Sequence, residues 1–219
     1  MVGYVSSASA RALATGRTNN FGVYVPYCGN SAHKQRLLQA LAEEAEKAGY
    51  HLVLLTGKCL TQQVTNVDAV FAVDIPEEEF ARLGDNAFVP LLYLDGQTDN
   101  GLFYCVTPDG AALREKALAL TGCSRAVLVT DRVACLAYRA YLARHFDALV
   151  TPEDACKQVF PEDTAVVLTQ YLPVSGRSVS LTGETFASLY GAYAQTAVAT
   201  AIKAIMRDET VAEHHIRIS

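Results

Sequence analysis

Long apolar runs are missing from this sequence. No stretch of its 219 residues approaches the ~18 consecutive apolar side chains that a membrane-spanning helix needs. The amino end has no basic patch followed by an apolar segment, so no secretory signal is expected. A cytoplasmic protein with no membrane partner is the simplest expectation. Acid is missing from the opening as well. No Asp or Glu precedes Glu43, and Arg11, Arg17, Lys34 and Arg36 carry a charge of +4 up to that point. The whole chain is −5, which leaves −9 for the remainder. An acidic body repels phosphates, so DNA contact would fall to the amino-terminal arm or to a basic head outside this sequence.

Chemical signatures are equally scarce. The six cysteines (Cys28, Cys59, Cys105, Cys123, Cys135 and Cys156) form no CxxC pair and no regular framework. Buried, reduced thiols are expected. The histidines show neither HxxxH nor HExxH spacing, and His214-His215 has no matching cysteine cluster, so neither metal nor cofactor is expected. There is no GxSxG, no P-loop and no GxGxxG. Asp74, Asp95 and Asp131 invite comparison with the phosphoryl-acceptor pocket of a response-regulator receiver. Such a pocket needs an acidic pair after the first strand, where this chain reads Pro26-Tyr27-Cys28. No enzyme is expected.

What is present is a globular pattern. Half of the residues (51%) are hydrophobic, enough for a sizeable core. Phe21 to Pro26 reads as a buried strand, and Asn30-Ser31 offers a helix cap. Leu37, Leu38, Leu41, Ala45 and Ala48 then recur at helical spacing until Gly49 stops the run. His51 to Leu55 is the next strand. Strand, helix and strand joined by short loops define a βαβ unit and a parallel sheet. The alternation continues. A short helix is expected in Lys58–Asn66, strands at Val67–Val73 and Phe88–Leu94, and a helix at Pro76–Leu83. After a strand at Leu102–Val106, Thr107-Pro108 reads as a cap with proline at the first helical position. Leu113, Ala117 and Leu120 form that helix's buried stripe, and Gly122 ends it. A strand from Arg125 to Thr130 runs into a helix from Asp131 to His145. Thr151-Pro152 is a second cap, and further strands fall at Thr164–Thr169, Ser178–Thr182 and His215–Ile218. Phe186–Met206 is the last long helix.

The opening segment, GYVSSASARALATGRTNNFGVYVP, closely resembles the junction of lactose-repressor-type (LacI/GalR) transcription regulators. There a helix-turn-helix head ends, a hinge helix follows and a sugar-sensing core begins. GLFYCVTPDGAALREKALAL, AVLVTDRVACLAYRAYL, TAVVLTQYLPVSGRSVSLTGE and YAQTAVATAIKAI resemble later parts of that core. The resemblance implies an α/β, periplasmic-binding-protein-like fold of two Rossmann-like parallel-sheet lobes. Residues 1–20 would be hinge and linker, and 21–122 the N-terminal lobe. Residues 123–219 would be a C-terminal lobe whose last helix crosses back. That second lobe is expected to be reduced, because a pair of strand–helix units usual between Leu120 and Arg125 is absent. The family's "ND" pair reads Thr130-Asp131 here, and its late-strand aspartate falls near Gln170 or Tyr171.

Function follows from the same comparison. In the family, paired hinge helices enter the minor groove and a leucine wedges a base step apart. Leu13 matches the wedge, with Arg11 placed to reach phosphate. In open parallel sheets, ligands bind beyond the carboxyl ends of strands. Tyr27, Asn30, Ser31, Asp74, Asp95, Asp109, Thr130, Asp131 and Gln170 stand at such ends, and their amides, hydroxyls and carboxylates suit a polyol. Asp and Thr after strands are also ordinary helix caps. The expectation is therefore the effector-sensing and dimerisation core of a sequence-specific repressor-like regulator. It would act as a homodimer on operator DNA in response to a sugar-like effector. A periplasmic-type solute-binding protein and an effector-blind dimerisation module are the alternatives.

Overall fold

The computed structural model describes residues 16–26, 31–170, 172–181, 183, 186–207 and 214–219. The hinge segment with Arg11 and Leu13, and the loop residues Tyr27 and Asn30, lie outside the described residues.

In chain order the elements are β1 (Asn20–Tyr24), α1 (Ala32–Lys47), β2 (His51–Leu54), β3 (Ala69–Val73), α2 (Glu77–Asn86), β4 (Leu91–Leu94) and β5 (Tyr104–Pro108). They continue with α3 (Gly110–Thr121), β6 (Arg125–Val129), α4 (Leu136–His145), β7 (Ala148–Val150), α5 (Pro152–Ala155), β8 (Thr164–Leu168), β9 (Arg177–Ser180), α6 (Ala187–Ile205) and β10 (His215–Ile218). They build two parallel sheets. One has six strands in the order β10-β5-β4-β3-β1-β2, the other four in the order β7-β6-β8-β9. Among the described residues no helix is long and apolar enough to cross a membrane.

Central strands read as continuous apolar runs because both faces are covered. All five residues of β3 and of β8 are buried. In β6 the two faces separate cleanly. Ala126 and Leu128 join a core continuous with the first sheet, while Val127 and Val129 pack with Ala155, Phe160, Val166 and Leu168 on the other side. In the first sheet Phe21 stacks on Tyr50 at 4.0 Å, and Phe80 stacks on Tyr93 at 4.0 Å. Helix α6 packs along α1 and against β4, β5 and β10, so the late helix and last strand belong to the first sheet by contact. Helix α3 packs on β6, β8 and β9. It precedes the boundary expected near Gly122, yet its contacts are with the second sheet.

Several local expectations need correction. Thr107-Pro108 is not a helix cap. Both residues extend β5, because β10 pairs with them from more than a hundred residues downstream. The cap is Asp109, whose carboxylate accepts from the Ala111 and Ala112 N–H groups. The α3 stripe ends with Ala117, and Leu120 is exposed. Helix α4 begins at Leu136 rather than Asp131, with Cys135 as its cap. Gly57–Leu60 is one turn of 3-10 helix in place of the short helix. Of the cysteines, Cys59, Cys105 and Cys135 are buried and free, whereas Cys156 is exposed.

One carboxylate fixes the base of the amino-terminal arm. Asp68, nearly buried just ahead of β3, accepts from the Thr18 N–H at 2.8 Å, the Thr18 hydroxyl at 2.9 Å and the Asn19 N–H at 2.8 Å. Removing it takes a shared acceptor from two backbone donors, on half-buried Thr18 and exposed Asn19. Asp68→Ala is expected to lower stability by about 2 kcal/mol, with Asp68→Asn costing less. Urea denaturation checks this, and wild-type stability in the Ala variant would overturn the account.

Candidate functional site

Each sheet has a switch point where strand order reverses: β1/β3 in the first, β6/β8 in the second. Ligands of open α/β sheets bind outside the carboxyl ends of strands at such points. Here the two switch points meet across one crevice. Ser31, His33 and Lys34 from the start of α1 line it, with Asp74 after β3 and Asp95 after β4. Thr130 and Asp131 after β6 and Thr169 after β8 face them.

Helical geometry brings Lys34 inside. The buried face of α1 is Lys34, Leu37, Leu41 and Ala45, so the apolar stripe extended back one turn lands on a lysine. Its ammonium lies 2.6 Å from the Asp74 carboxylate, and both side chains are 6% exposed. Asp74 also accepts from the Ala134 N–H at 2.7 Å, so this carboxylate ties the first sheet to the loop that follows β6. Burial pushes the Asp74 carboxyl above its usual value, and the Lys34 ammonium and the Ala134 N–H offset only part of that rise.

A second set lies beside it. The Nε2 atom of His33 is 2.8 Å from Asp95, and its Nδ1 is 2.9 Å from the Tyr190 hydroxyl. The Asp95 N–H donates to the Tyr193 hydroxyl at 2.8 Å. That hydroxyl in turn sits 2.6 Å from the Val106 carbonyl and 3.1 Å from the Asp95 carboxylate. Burial disfavours charge on His33, but the adjacent Asp95 carboxylate outweighs it and lifts the imidazole above its ordinary value of 6.5. Asp74 and Asp95 both adopt positive φ, +44° and +51°. Outside glycine that region is sparsely used, and such residues gather where structure over-determines them.

Carboxylates from the first sheet also explain the late start of α4. Glu77 accepts from the Ala137 N–H at 2.9 Å and from the Cys135 thiol at 3.2 Å. With Asp74 on Ala134, donors that would begin the helix are taken from across the crevice. Burial works against the Glu77 charge, and the N–H donors of α4 still hold its carboxyl below the usual range. On the far side Arg217 of β10 stacks over the Tyr141 ring of α4 at 3.9 Å and donates to Gln97 at 3.0 Å.

Of the residues expected at the site, Ser31, Asp74, Asp95, Thr130 and Asp131 share this crevice. Ser31 is also the cap of α1. Asp109 stands apart: it caps α3 and lies 3.2 Å from the Tyr141 hydroxyl. Gln170 is half-buried one residue beyond the lining Thr169. Sequence reasoning missed His33, Lys34, Glu77 and Thr169. For Lys34 the helical stripe was a usable signal, whereas Glu77 acts on an element sixty residues away and left none.

The remaining cavity is small, about 50 Å³. That holds one or two waters at ~30 Å³ each, against the ~300 Å³ or more of a typical ligand site. The crevice is filled by its own side chains. Among the described residues no group of His, Cys, Asp and Glu is arranged to hold a metal ion.

The two-lobed arrangement defines the class as a periplasmic-binding-protein-like α/β core, and solved structures agree. No protein-family model matches the sequence, and no curated protein does. The chain is similar in fold to the lac repressor dimer bound to operator and the anti-inducer ONPF, with TM-score 0.64, 14% identity, 99% of this chain and 84% of that one covered. It is similar to a LacI family transcription regulator from Clostridium acetobutylicum, with TM-score 0.61, 14% identity and coverage of 91% and 96%. It also resembles the Cra dual regulator from Pseudomonas putida in complex with fructose 1-phosphate, with TM-score 0.59, 16% identity and coverage of 92% and 97%. At these identities the likeness is one of fold.

Two outcomes follow. Lys34→Met should cost about 3–5 kcal/mol, because it leaves a buried carboxylate without its cation, and Lys34→Met with Asp74→Asn should recover much of that loss. Strictly additive effects in urea denaturation would mean the pair is not coupled. The pH dependence has an unusual sign. His33 binds its proton more tightly when folded, so its contribution is complete below pH 6.5 and is lost as pH rises through the higher folded value. Asp74, also raised, slopes the same way from its unfolded value of 3.8 upward. Stability should therefore fall as pH rises above 6.5, and His33→Gln should flatten that fall. A wild-type stability that rises over this window would contradict the assignment.

Proposed function

We propose that this chain is the sensing and dimerisation core of a LacI/GalR-like transcription regulator. The carrying observation is the placement of two switch points across one crevice, with the amino-terminal arm entering at the opposite, amino end of β1. In this reading the arm, with Arg11 and Leu13, contacts operator DNA together with a helix-turn-helix head. Ser31, Asp74, Thr130 and Asp131, with the adjoining Tyr27, Asn30, Asp109 and Gln170, contact a small polar effector. The likeness in fold to several transcription regulators supports it, as does the resemblance of the opening segment to a hinge. Two copies pair through the first lobe, since a palindromic operator demands two-fold symmetry. Residues 21–122 and 123–219 serve as the two lobes, and effector binding shifts the population between lobe arrangements.

A second reading has a specific observation behind it. The crevice holds about 50 Å³, and four of its charged groups are already paired, His33 with Asp95 and Lys34 with Asp74. That favours a dimerisation module that senses nothing in the crevice. Sedimentation combined with thermal shift against sugars and nucleosides separates the two. The sensing core should sediment as a dimer and be stabilised by at least one polyol. A dimer that no compound stabilises would leave the effector-blind module, and a monomer at micromolar concentration would sink both.

A further inference from the structure

We propose that the hollow beside the crevice, between α4 and the carboxyl ends of β6 and β7, binds a small phosphomonoester with an apolar body. This deepens the reading of the chain as a sensing core and rests on it. The hollow measures about 300 Å³, some six times the crevice cavity. That reaches the size at which small-molecule sites begin, ~300 Å³. Arg132 and Arg139, Leu149 and Val150, and Thr130 and Asp131 are among the residues that line it.

The chemistry of that lining selects the ligand. Arg132 and Arg139 are exposed, and among the described residues neither forms an ion pair. Two guanidiniums against the single Asp131 carboxylate leave a net charge of +1. Guanidinium forks match the oxygens of a phosphate, and two of them suit a dianion. The Thr130 hydroxyl adds a donor. The side chains of Leu149 and Val150 offer nothing to hydroxyls, so the part of the ligand that lies against them is apolar. A free sugar would leave polar groups unpaired against these two side chains.

The position gives such a ligand a way to be felt. Thr130, Asp131 and Val133 wall both the hollow and the crevice. The same segment carries the Ala134 N–H that Asp74 holds. An anion that draws in Arg132 therefore acts on the strap between the lobes without entering the filled crevice.

The test is isothermal titration of the full chain with phenyl phosphate, inorganic phosphate and phenol. Phenyl phosphate should bind saturably, inorganic phosphate more weakly and phenol not at all. The R132Q/R139Q variant should lose at least about tenfold in affinity, with an unchanged unfolding temperature because both side chains are exposed. Equal affinity in the variant, no binding of phenyl phosphate, or equal binding of phenol overturns the proposal. Sedimentation of the same samples keeps the two claims apart. A dimer blind to phenyl phosphate removes this site alone, and a monomer that binds it in an Arg132- and Arg139-dependent way removes the regulator reading alone.

Discussion

The Asp74 carboxylate is the constraint on which the arrangement of the two halves depends. It receives the Lys34 ammonium from α1 and the Ala134 N–H from the loop after β6, and so joins three segments that are far apart in sequence. Placing a charged pair at 6% exposure is costly, and such pairs often contribute little net stability. What the pair supplies is register. A buried carboxylate must find donors, and the loop after β6 supplies one in the Ala134 N–H at 2.7 Å. Glu77 repeats the device a turn further along, holding the Ala137 N–H and the Cys135 thiol. The stacking of Arg217 on Tyr141 braces the other side of α4.

These cross-lobe ties show where the sequence was legible and where it was not. The βαβ alternation, the parallel sheets, the Ser31 and Thr151 caps and the Gly122 stop are encoded in a few neighbouring residues and could be read directly. The errors sit where a distant element overrode local propensity. Thr107-Pro108 looks like a helix start by every local rule, yet β10 recruits both residues into a sheet. Asp131 looks like the head of a helix, yet carboxylates across the crevice claim donors at the start of α4 and delay it to Leu136. The crevice residues were half legible for the same reason. Ser31, Asp74, Thr130 and Asp131 follow strands, and that position is visible in sequence. His33 and Lys34 became site residues because α6 and β3 bring Tyr190 and Asp74 to them, which no local pattern announces.

A lysine on an otherwise apolar stripe carries a further consequence. In a helix that only packed, position 34 would hold leucine or alanine like positions 37, 41 and 45. A charged side chain there needs a fixed counter-charge, and Asp74 provides it from a positive-φ backbone at the end of β3. Asp95 does the same at the end of β4, with His33 as its partner. Two neighbouring strands thus end in the same uncommon conformation, each presenting a carboxylate to consecutive residues of α1. The crevice is built as a paired lock of alternating charge rather than as an open cup.

Such a lock sets the energetic terms for any sensing. A ligand shifts an equilibrium only by its differential affinity for the two states, so a compound entering the crevice would have to replace the contacts of Lys34 and His33 and still gain. Polyol hydroxyls are poor substitutes for an ammonium against a buried carboxylate, because charge-assisted hydrogen bonds are roughly twice as strong as neutral ones. A ligand that leaves the lock intact and acts on its hinge side faces no such exchange. The segment from Thr130 to Cys135 is where that leverage lies: it borders the crevice on one side and the arginine-lined hollow on the other, and it is tied to the first sheet through the Ala134 N–H and the Cys135 thiol.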